Sequence, residues 1–274
     1  MTRPLSAAAR RPGTRPTTSG VVVAVDGTEA GVRAARWAAH EAVLRGVELT
    51  LLHAAPPAAG PPGSRHDHAA GLLARAHTVA RHAEPEVRTR AETAGDDPRS
   101  ALVQASRHAA LLVLGFDGAG PSSRTLDIAG LARCPVVVVP RGGSPDGPVV
   151  AAVRDLARDA AVLRQARDAA ARSGAALKVV HAARSAREGT EALEDIEDWL
   201  WRWGTPPYSV HLSRGRPLEV VVDRSAHARL LVMGSAEPHR PLLGPAARGA
   251  LRLAACPVLI AAEPPLPNRG GPPR

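Results

Sequence analysis

The sequence predicts an α/β fold of two tandem doubly wound domains, each with a five-stranded parallel sheet and helices on both faces. Three observations support this prediction. Short apolar strands alternate with helix-like segments, as in parallel sheets covered on both faces. The first strand, Val21–Val25, is apolar throughout, which indicates burial on both of its faces. The same order of segments begins again at Val149, and a repeat of this length indicates a duplicated domain.

The first strand leads directly into a helix. Asp26 and Gly27 end the strand, and Thr28 is a residue type that caps helix amino termini. Apolar residues then recur with the helical period from Val32 to Val43. Asp26 is therefore expected at the carboxyl end of the strand, the edge where open α/β sheets bind ligands.

The rest of the first half continues the alternation and ends in a loop of turn residues, 141–148. Its predicted strands lie at 48–54, 86–91, 111–114 and 136–139. Its predicted helices lie at 67–83, at 122–131 and in a segment that ends near Arg107.

The second half repeats the first with small changes in spacing, which is expected when duplicated domains differ in loop length. Val149 follows Val21 by 128 residues, Gly234 follows Gly115 by 119, and Cys256 follows Cys134 by 122. The predicted organisation is a disordered basic tail at 1–20, a first domain at 21–140, a linker at 141–148, a second domain at 149–264 and a disordered tail at 265–274.

Composition limits the classes of partner. The net charge of +9 permits acidic partners, but the arginines are dispersed and aromatic residues make up only 2% of the chain, which argues against nucleic-acid binding. No apolar run approaches the roughly 20 residues that a membrane span needs. The two cysteines are too few for a disulfide framework, so we expect a cytoplasmic protein with buried, inert thiols and no membrane partner.

Two local clusters suggest other roles. The triplet at 66–68 contains two histidines and an aspartate, but no second cluster follows at ligand spacing, so we predict no metal site. The helix near 190–203 contains three tryptophans. Trp199 and Trp203 share a helix face and are expected in the core, whereas Trp201 points elsewhere. An exposed Trp201 would favour a protein-binding surface.

The amino-acid sequence of these segments also shows a family resemblance, which covers most of 21–264. In the first half it depends on VVVAVDGTEAGVRAARWAAHEA, GDDPRSALVQASRHAALLVLG and CPVVVVP, and in the second on LKVVHA, GRPLEVVVDRSAHARLLVMG and CPVLIAAEP. These segments resemble the universal stress protein family in its tandem two-domain form. The resemblance implies an intramolecular pseudo-dimer in which the last strands of the two domains pack together. Many members of the family bind ATP, and most have no established catalytic activity.

The resemblance also implies where a nucleotide would bind. ATP-binding members place an Asp after the first strand and a loop G-x-x-G, nine residues, G-[S/T] after the fourth. A carboxylate can accept both ribose hydroxyl protons, and glycines let backbone N–H groups approach phosphates. The matching residues are Asp26, Gly115 and Gly118, with Ala24 and Ala54 near the base.

The loop of the first domain departs from this pattern. After Gly118 and nine further residues the chain has Ile128 instead of Gly. Aligned from Cys134 backwards, Ser122 and Ser123 take the G-[S/T] position, and the loop is six residues short. The serine hydroxyls could cap the helix and contact a phosphate, whereas the carboxylate of Asp117 opposes one.

The second domain departs further. Arg154 replaces the Asp, Glu237 replaces the second glycine, and Gly244 is followed by a proline that removes an N–H donor. Arg154 either pairs with Glu237 or binds an anion. We expect no ordinary ATP site in this domain.

The predicted function is that of a non-catalytic stress-response module that binds ATP weakly, in the first domain alone. The alternative is a nucleotide-free scaffold that acts on an unknown protein partner through its surface. Further dimerisation of the tandem pair stays open.

Overall fold

The computed structural model describes residues 20–55, 62–116, 122–183, 186–204, 206–235 and 243–262. The tails predicted at 1–20 and 265–274 lie outside these residues, except for Gly20, which begins the first strand.

The elements of the first half alternate as the sequence predicts. The strands are β1 (Gly20–Ala24), β2 (Leu49–Ala54), β3 (Thr89–Ala94), β4 (Ala109–Gly115) and β5 (Val136–Val139). The helices are α1 (Glu29–Arg45), α2 (Pro62–Ala83), α3 (Pro98–Ala105) and α4 (Ser123–Leu131).

The second half follows the same order. Its strands are β6 (Val149–Ala152), β7 (Leu177–Ala183), β8 (Tyr208–Arg214), β9 (Leu230–Gly234) and β10 (Val258–Ala261). Its helices are α5 (Leu156–Ser173), α6 (Ala186–Trp203), α7 (Pro217–Ser225) and α8 (Pro245–Leu253).

The described strands form one ten-stranded sheet with the order β3-β2-β1-β4-β5-β10-β9-β6-β7-β8. All neighbours within each half are parallel, and the halves meet where β5 pairs antiparallel with β10, with Val137 opposite Leu259. The last strands of the two halves are therefore hydrogen-bonded edge to edge, and the two sheets are continuous.

The core lies on both faces of this sheet. Val21 and Val23 of β1 belong to a cluster with helices α1, α2, α5 and α6, and Val22 belongs to a second cluster with α3, α4, α7 and α8. Both clusters contain residues from both halves, so the core continues across the β5–β10 junction. Among the helices in the described ranges, none combines the length and apolar character needed to cross a membrane.

Helix α2 begins five residues before the predicted 67–83, and among the strands of the first half the predicted boundaries differ most at the outer strand β3. The sequence predicts this strand at 86–91, but it covers Thr89–Ala94. Because β3 is the edge of the sheet, the side chains of Arg90 and Glu92 are exposed or only partly covered and form an ion pair. An edge strand with polar side chains lacks the apolar pattern that locates a buried strand.

Candidate ligand-binding edge

Four of the predicted site residues lie at one edge of the sheet. Ala24 and Ala54 end β1 and β2, Gly115 ends β4, and Asp26 follows β1. Strands β2, β1 and β4 are neighbours, and the chain order reverses between β1 and β4. Their carboxyl ends form the switch-point crevice where doubly wound sheets bind ligands.

The carboxylate of Asp26 is exposed at this edge. Its Oδ1 accepts hydrogen bonds from the Thr28 N–H at 3.0 Å and from the Thr28 hydroxyl at 2.7 Å. Oδ2 accepts no hydrogen bond from the described residues. Thr28 also caps α1, as predicted, because its Oγ1 accepts from the Gly31 N–H at 3.1 Å. The bonds to Thr28 orient the carboxylate and leave one oxygen available to a ligand.

Gly115 has a structural reason to be glycine that needs no ligand. A Cβ atom at this position would lie 2.2 Å from the carbonyl oxygen of Ala30, in the first turn of α1. Gly31 is equally constrained, since its Cβ would lie 2.6 Å from Oδ1 of Asp26. Gly115 therefore lets α1 begin directly against the end of β4, and Gly31 leaves room for the Asp26 carboxylate.

The loop after β4 is described only in part. Asp117 and Gly118 lie outside the described residues, as does the side chain of Ser123. Ser122 is the amino-terminal cap of α4, and its Oγ accepts from the Thr125 N–H at 3.2 Å. Helix capping, one of the two roles that the sequence suggested for this hydroxyl, is therefore observed.

Arg33 is a residue at this edge that the sequence reasoning missed. Its Nη2 donates to the carbonyl oxygen of Phe116, directly after β4, at 3.1 Å. A guanidinium on α1 therefore lies beside the chain that leaves β4. In the sequence, the only indication that Arg33 lies at this edge is its position in the predicted helix, five residues after Thr28.

The corresponding edge of the second half has a different arrangement of charge. Arg154 follows β6 where Asp26 follows β1, and the carboxylate beside it comes from Asp159 in α5. Oδ2 of Asp159 accepts from the Arg154 N–H at 2.7 Å and lies 3.7 Å from the Arg154 Nε. Asp159 is 3% exposed, so this carboxylate is enclosed within the turn. The predicted partner of Arg154, Glu237, lies outside the described residues.

Asp159 could have been found from the repeat. It follows Gly31 by 128 residues, the same spacing that relates Arg154 to Asp26. The second half thus has an acid where the first has the glycine against Asp26. A Cβ added to Gly234, the counterpart of Gly115, would lie 3.1 Å from Oδ1 of Asp159. In this half α8 begins at Pro245 after Gly244, without a side-chain cap.

Two histidines occupy equivalent structural positions. Nδ1 of His53 lies 2.7 Å from the carbonyl oxygen of Val25, and Nδ1 of His181 lies 3.1 Å from that of Val153. Because a carbonyl only accepts, each Nδ1 carries the proton. These contacts tie the end of the second strand of each half to the chain that leaves the first.

The thiols of Cys134 and Cys256 are free and buried, as the sequence predicts. Burial raises the pKa of each thiol to about 12. Asp67 and His68 of the predicted non-ligand triplet are exposed on α2. The part of the chain that the structure describes has no group of three or more His, Cys, Asp or Glu side chains placed to hold a metal ion.

The tryptophans of α6 differ from the prediction at one position. Trp199 packs against the core, and Trp201 is 78% exposed. Trp203, however, is 57% exposed and not a core residue. It lies at the last residue of α6, where its ring packs on Trp199 with centroids 6.0 Å apart and faces the Arg167 guanidinium at 5.8 Å.

These observations define the class of protein first. The chain is a tandem α/β protein whose halves share the doubly wound strand order and join through their last strands. In the first half the exposed Asp26 follows the first strand, whereas in the second half Arg154 takes that position between the enclosed Asp159 and the exposed helix cap Asp155.

Comparison with known proteins then gives the family. The model of the universal stress protein family matches residues 19–140. The universal stress protein Rv3134c of Mycobacterium tuberculosis is 34% identical over 207 residues, 71% of this chain and 72% of its own length. Rv2028c from the same species is 29% identical over 275 residues, 89% of this chain and 96% of its own. The chain belongs to the universal stress protein family.

A solved structure supports the same architecture. The crystal structure of a universal stress protein from Archaeoglobus fulgidus DSM 4304 aligns with 90% of this chain and 98% of its own, with a TM-score of 0.74 and 17% sequence identity. This similarity shows the shared fold.

Proposed function

We propose that this protein is a non-catalytic stress-response module that binds an adenine nucleotide, ATP, weakly and only in its first half. The proposed site comprises Ala24, Asp26, Ala54 and Gly115, with Gly118, Ser122 and Ser123 toward the phosphates. We also propose that 21–140 and 149–264 act as its two domains.

The contrast between Asp26 and Asp159 is the observation that supports this proposal. Asp26 is exposed at the switch point, and its Oδ2 is not used by the described residues. This oxygen can accept hydrogen bonds from the ribose hydroxyl groups. In the second half Arg154 takes the position of Asp26 and offers only donors to a sugar. Of the described carboxylates beside it, Asp159 is buried and bonded to the Arg154 N–H, and Asp155, although exposed, caps α5 through the Ala157 N–H and lies 3.7 Å from Arg158.

The weakness of the proposed binding follows from the phosphate side. The loop between Gly118 and Ser122 is six residues shorter than the family pattern. The Ser122 hydroxyl lies 3.1 Å from the Thr125 hydroxyl, and either of the two can donate, so a phosphate oxygen would compete with Thr125 for the Ser122 proton. Asp117 adds a negative charge to the same loop, which opposes phosphate binding unless a cation is present.

A thermal-unfolding experiment tests the proposal. ATP at ten times its Kd should stabilise the wild type by about 1.4 kcal/mol and raise Tm by about 3 °C. Asp26→Ala should abolish this increase, because it removes the ribose acceptor. Arg154→Ala, the change at the equivalent position of the other half, is the matched control and should keep it.

The surface of α6 favours a second candidate function. Trp201 is 78% exposed, and a large exposed aromatic is typical of interaction surfaces. A nucleotide-free scaffold would show no ATP-dependent Tm change in the wild type and release no adenine when the purified protein is denatured. Either an ATP-dependent increase that needs Asp26 or released adenine would exclude it.

The thiols support a place of action. Cys134 and Cys256 are buried and form no disulfide, which suits a reducing compartment. We propose that the protein acts in the cytoplasm.

A further inference from the structure

A cavity of about 280 Å³ lies between the two halves of the chain. The first half contributes the end of α1 and the residues at the start of β4 and before β5, and the second contributes α5 and Ala262. The amino ends of β4 and β5 are at the sheet edge opposite Asp26. We call this cavity the arginine cavity, because its lining includes Arg45, Arg107, Arg133, Arg164 and Arg172.

Positive charge exceeds negative charge in the arginine cavity. Among its lining residues Asp168 is the one acid, and it accepts from Arg167 Nη2, outside the cavity, at 2.7 Å. Glu41 of α1 accepts from Arg45 at 2.6 Å and from Arg172 at 3.2 Å. With both carboxylates counted, the five lining guanidinium groups leave an excess of three positive charges.

Several guanidinium donors in this cavity are not used. Nε of Arg172 is buried and has no hydrogen-bond partner within the described residues. The side chains of Arg107, Arg133 and Arg164 make no ion pair or hydrogen bond with the part of the chain that is described. The backbone N–H of Arg133 is fixed by the Ser106 hydroxyl at 2.9 Å, so the loop that presents this arginine is anchored.

The surroundings of Arg172 disfavour the positive charge of its guanidinium group. Burial lowers the pKa of Arg172, the nearby Arg45 lowers it further, and Glu41 opposes both effects only in part. An anion placed among these arginines would compensate the repulsion between them. A ligand that binds only the folded cavity also stabilises the fold, and here it would hold the two halves together.

We propose that the arginine cavity binds a compact polyanion with two or more phosphate groups. Guanidinium groups offer paired N–H donors that match phosphate oxygens, and the unused donors come from both halves of the chain. The volume of about 280 Å³ is at the lower limit of ligand pockets, about 300 Å³, which suits a small anion. This site is separate from Asp26 and does not depend on nucleotide binding there.

Titration calorimetry with inorganic triphosphate on the full chain tests this proposal. The triple variant Arg107→Gln, Arg133→Gln, Arg164→Gln removes three exposed guanidinium groups and leaves the Glu41 pairs intact. It should bind triphosphate at least about tenfold more weakly, since each lost bond is charge-assisted. Arg36→Gln, an exposed arginine of α1 outside the cavity, is the matched control and should bind like the wild type. Unfolding of each variant without ligand checks that the fold is kept.

The outcomes separate the two proposed sites. Equal triphosphate affinity in the triple variant and the wild type, or no binding by the wild type, would overturn the cavity proposal, as would sulfate binding as tight as triphosphate. Asp26→Ala should keep triphosphate binding. ATP binding that is lost in the triple variant and kept in Asp26→Ala would support the cavity and contradict the proposed nucleotide site.

Discussion

At the residue scale, Asp26 and Asp159 illustrate how position decides what a carboxylate can do. Both lie beside the turn between the first strand and first helix of their half. Asp26 precedes the helix and is exposed, whereas Asp159 is within the first turn of α5, where its Oδ2 accepts from two successive backbone N–H groups at 2.7 and 3.4 Å. The first arrangement leaves an acceptor for a ligand, and the second uses the acceptor to close the turn.

The two buried thiols predict a change in stability with pH. The pKa of each is about 12 in the folded protein against 9.0 unperturbed, so above pH 9 the unfolded chain loses thiol protons that the folded chain keeps. The contribution of the two thiols to the free energy of unfolding is therefore fully present below pH 9 and is lost as the pH rises toward 12. Between pH 8 and pH 10 the loss is about 3 kcal/mol for the two thiols together.

Urea unfolding of the wild type and of Cys134→Ala, Cys256→Ala at both pH values measures this loss. The double variant should lose about 3 kcal/mol less than the wild type over that interval. Other groups that titrate at alkaline pH are common to both proteins and cancel. The same pH dependence in both proteins would show that the thiols do not contribute.

Sequence reasoning at this scale placed Asp26 at the carboxyl edge of the sheet and predicted the helix cap at Thr28, but it missed contacts between distant segments. Asp26 and Thr28 follow from strand-end and capping preferences, which are local. Asp159 could be found from the repeat, whereas the contact of Arg33 and the arginine cavity depend on which segments meet in space. The pairing of Arg172 with Glu41, for example, joins residues 131 positions apart.

At the scale of elements, the approach of α1 to β4 determines the shape of the proposed site. The helix begins so close to Gly115 that a Cβ there would lie 2.2 Å from a backbone oxygen.

Equivalent serines anchor the last loop of each half. Ser106 Oγ accepts from the Arg133 N–H at 2.9 Å, and Ser225 Oγ accepts from the Ala255 N–H at 3.0 Å.

Gly115→Ala should therefore destabilise the protein by about 1–3 kcal/mol, because α1 or β4 must shift to admit the methyl group. Chemical denaturation measures the change. Gly95→Ala is the matched control, since a Cβ there meets nothing within 4 Å, and it should be neutral or slightly stabilising. Equal stability of the two variants would mean that α1 can move away from β4 at no cost.

Element boundaries were predictable where a strand is buried on both faces. Strand β5 was predicted at its observed bounds, Val136–Val139. Its four valines lie between two prolines, which limit the strand at both ends. Strand β3 was displaced by three residues because its exposed side chains need not be apolar. The core position expected for Trp203 was wrong for a similar reason, since the end of a helix can leave the core while its residues keep the helical period.

At the scale of the whole molecule, the β5–β10 junction turns two halves into one sheet. Three residue pairs, Val138–Val258, Val137–Leu259 and Val136–Ile260, form the contact between the halves' last strands, and all six residues are buried. The repeated sequence predicted two domains of the same fold, and the family resemblance implied that their last strands pack together. The arginine cavity beside this junction could not be predicted, because its arginines are dispersed along the chain.

The duplication also explains how the halves can differ in function. Each half keeps the five strands, a side-chain cap at the start of its first helix and the histidine contact. The residues that would contact a nucleotide, in contrast, are free to change in one half while the other keeps its site. We therefore expect one adenine nucleotide per chain, with its adenosine at the edge formed by β1, β2 and β4.

A crystal structure of the protein grown with ATP tests this expectation most directly. We predict that the ribose hydroxyls contact Oδ2 of Asp26 and that the equivalent edge beside Arg154 and Gly234 holds no adenosine. Adenosine bound beside Arg154, or an edge at Asp26 that remains closed to nucleotide at saturating ATP, would contradict the account.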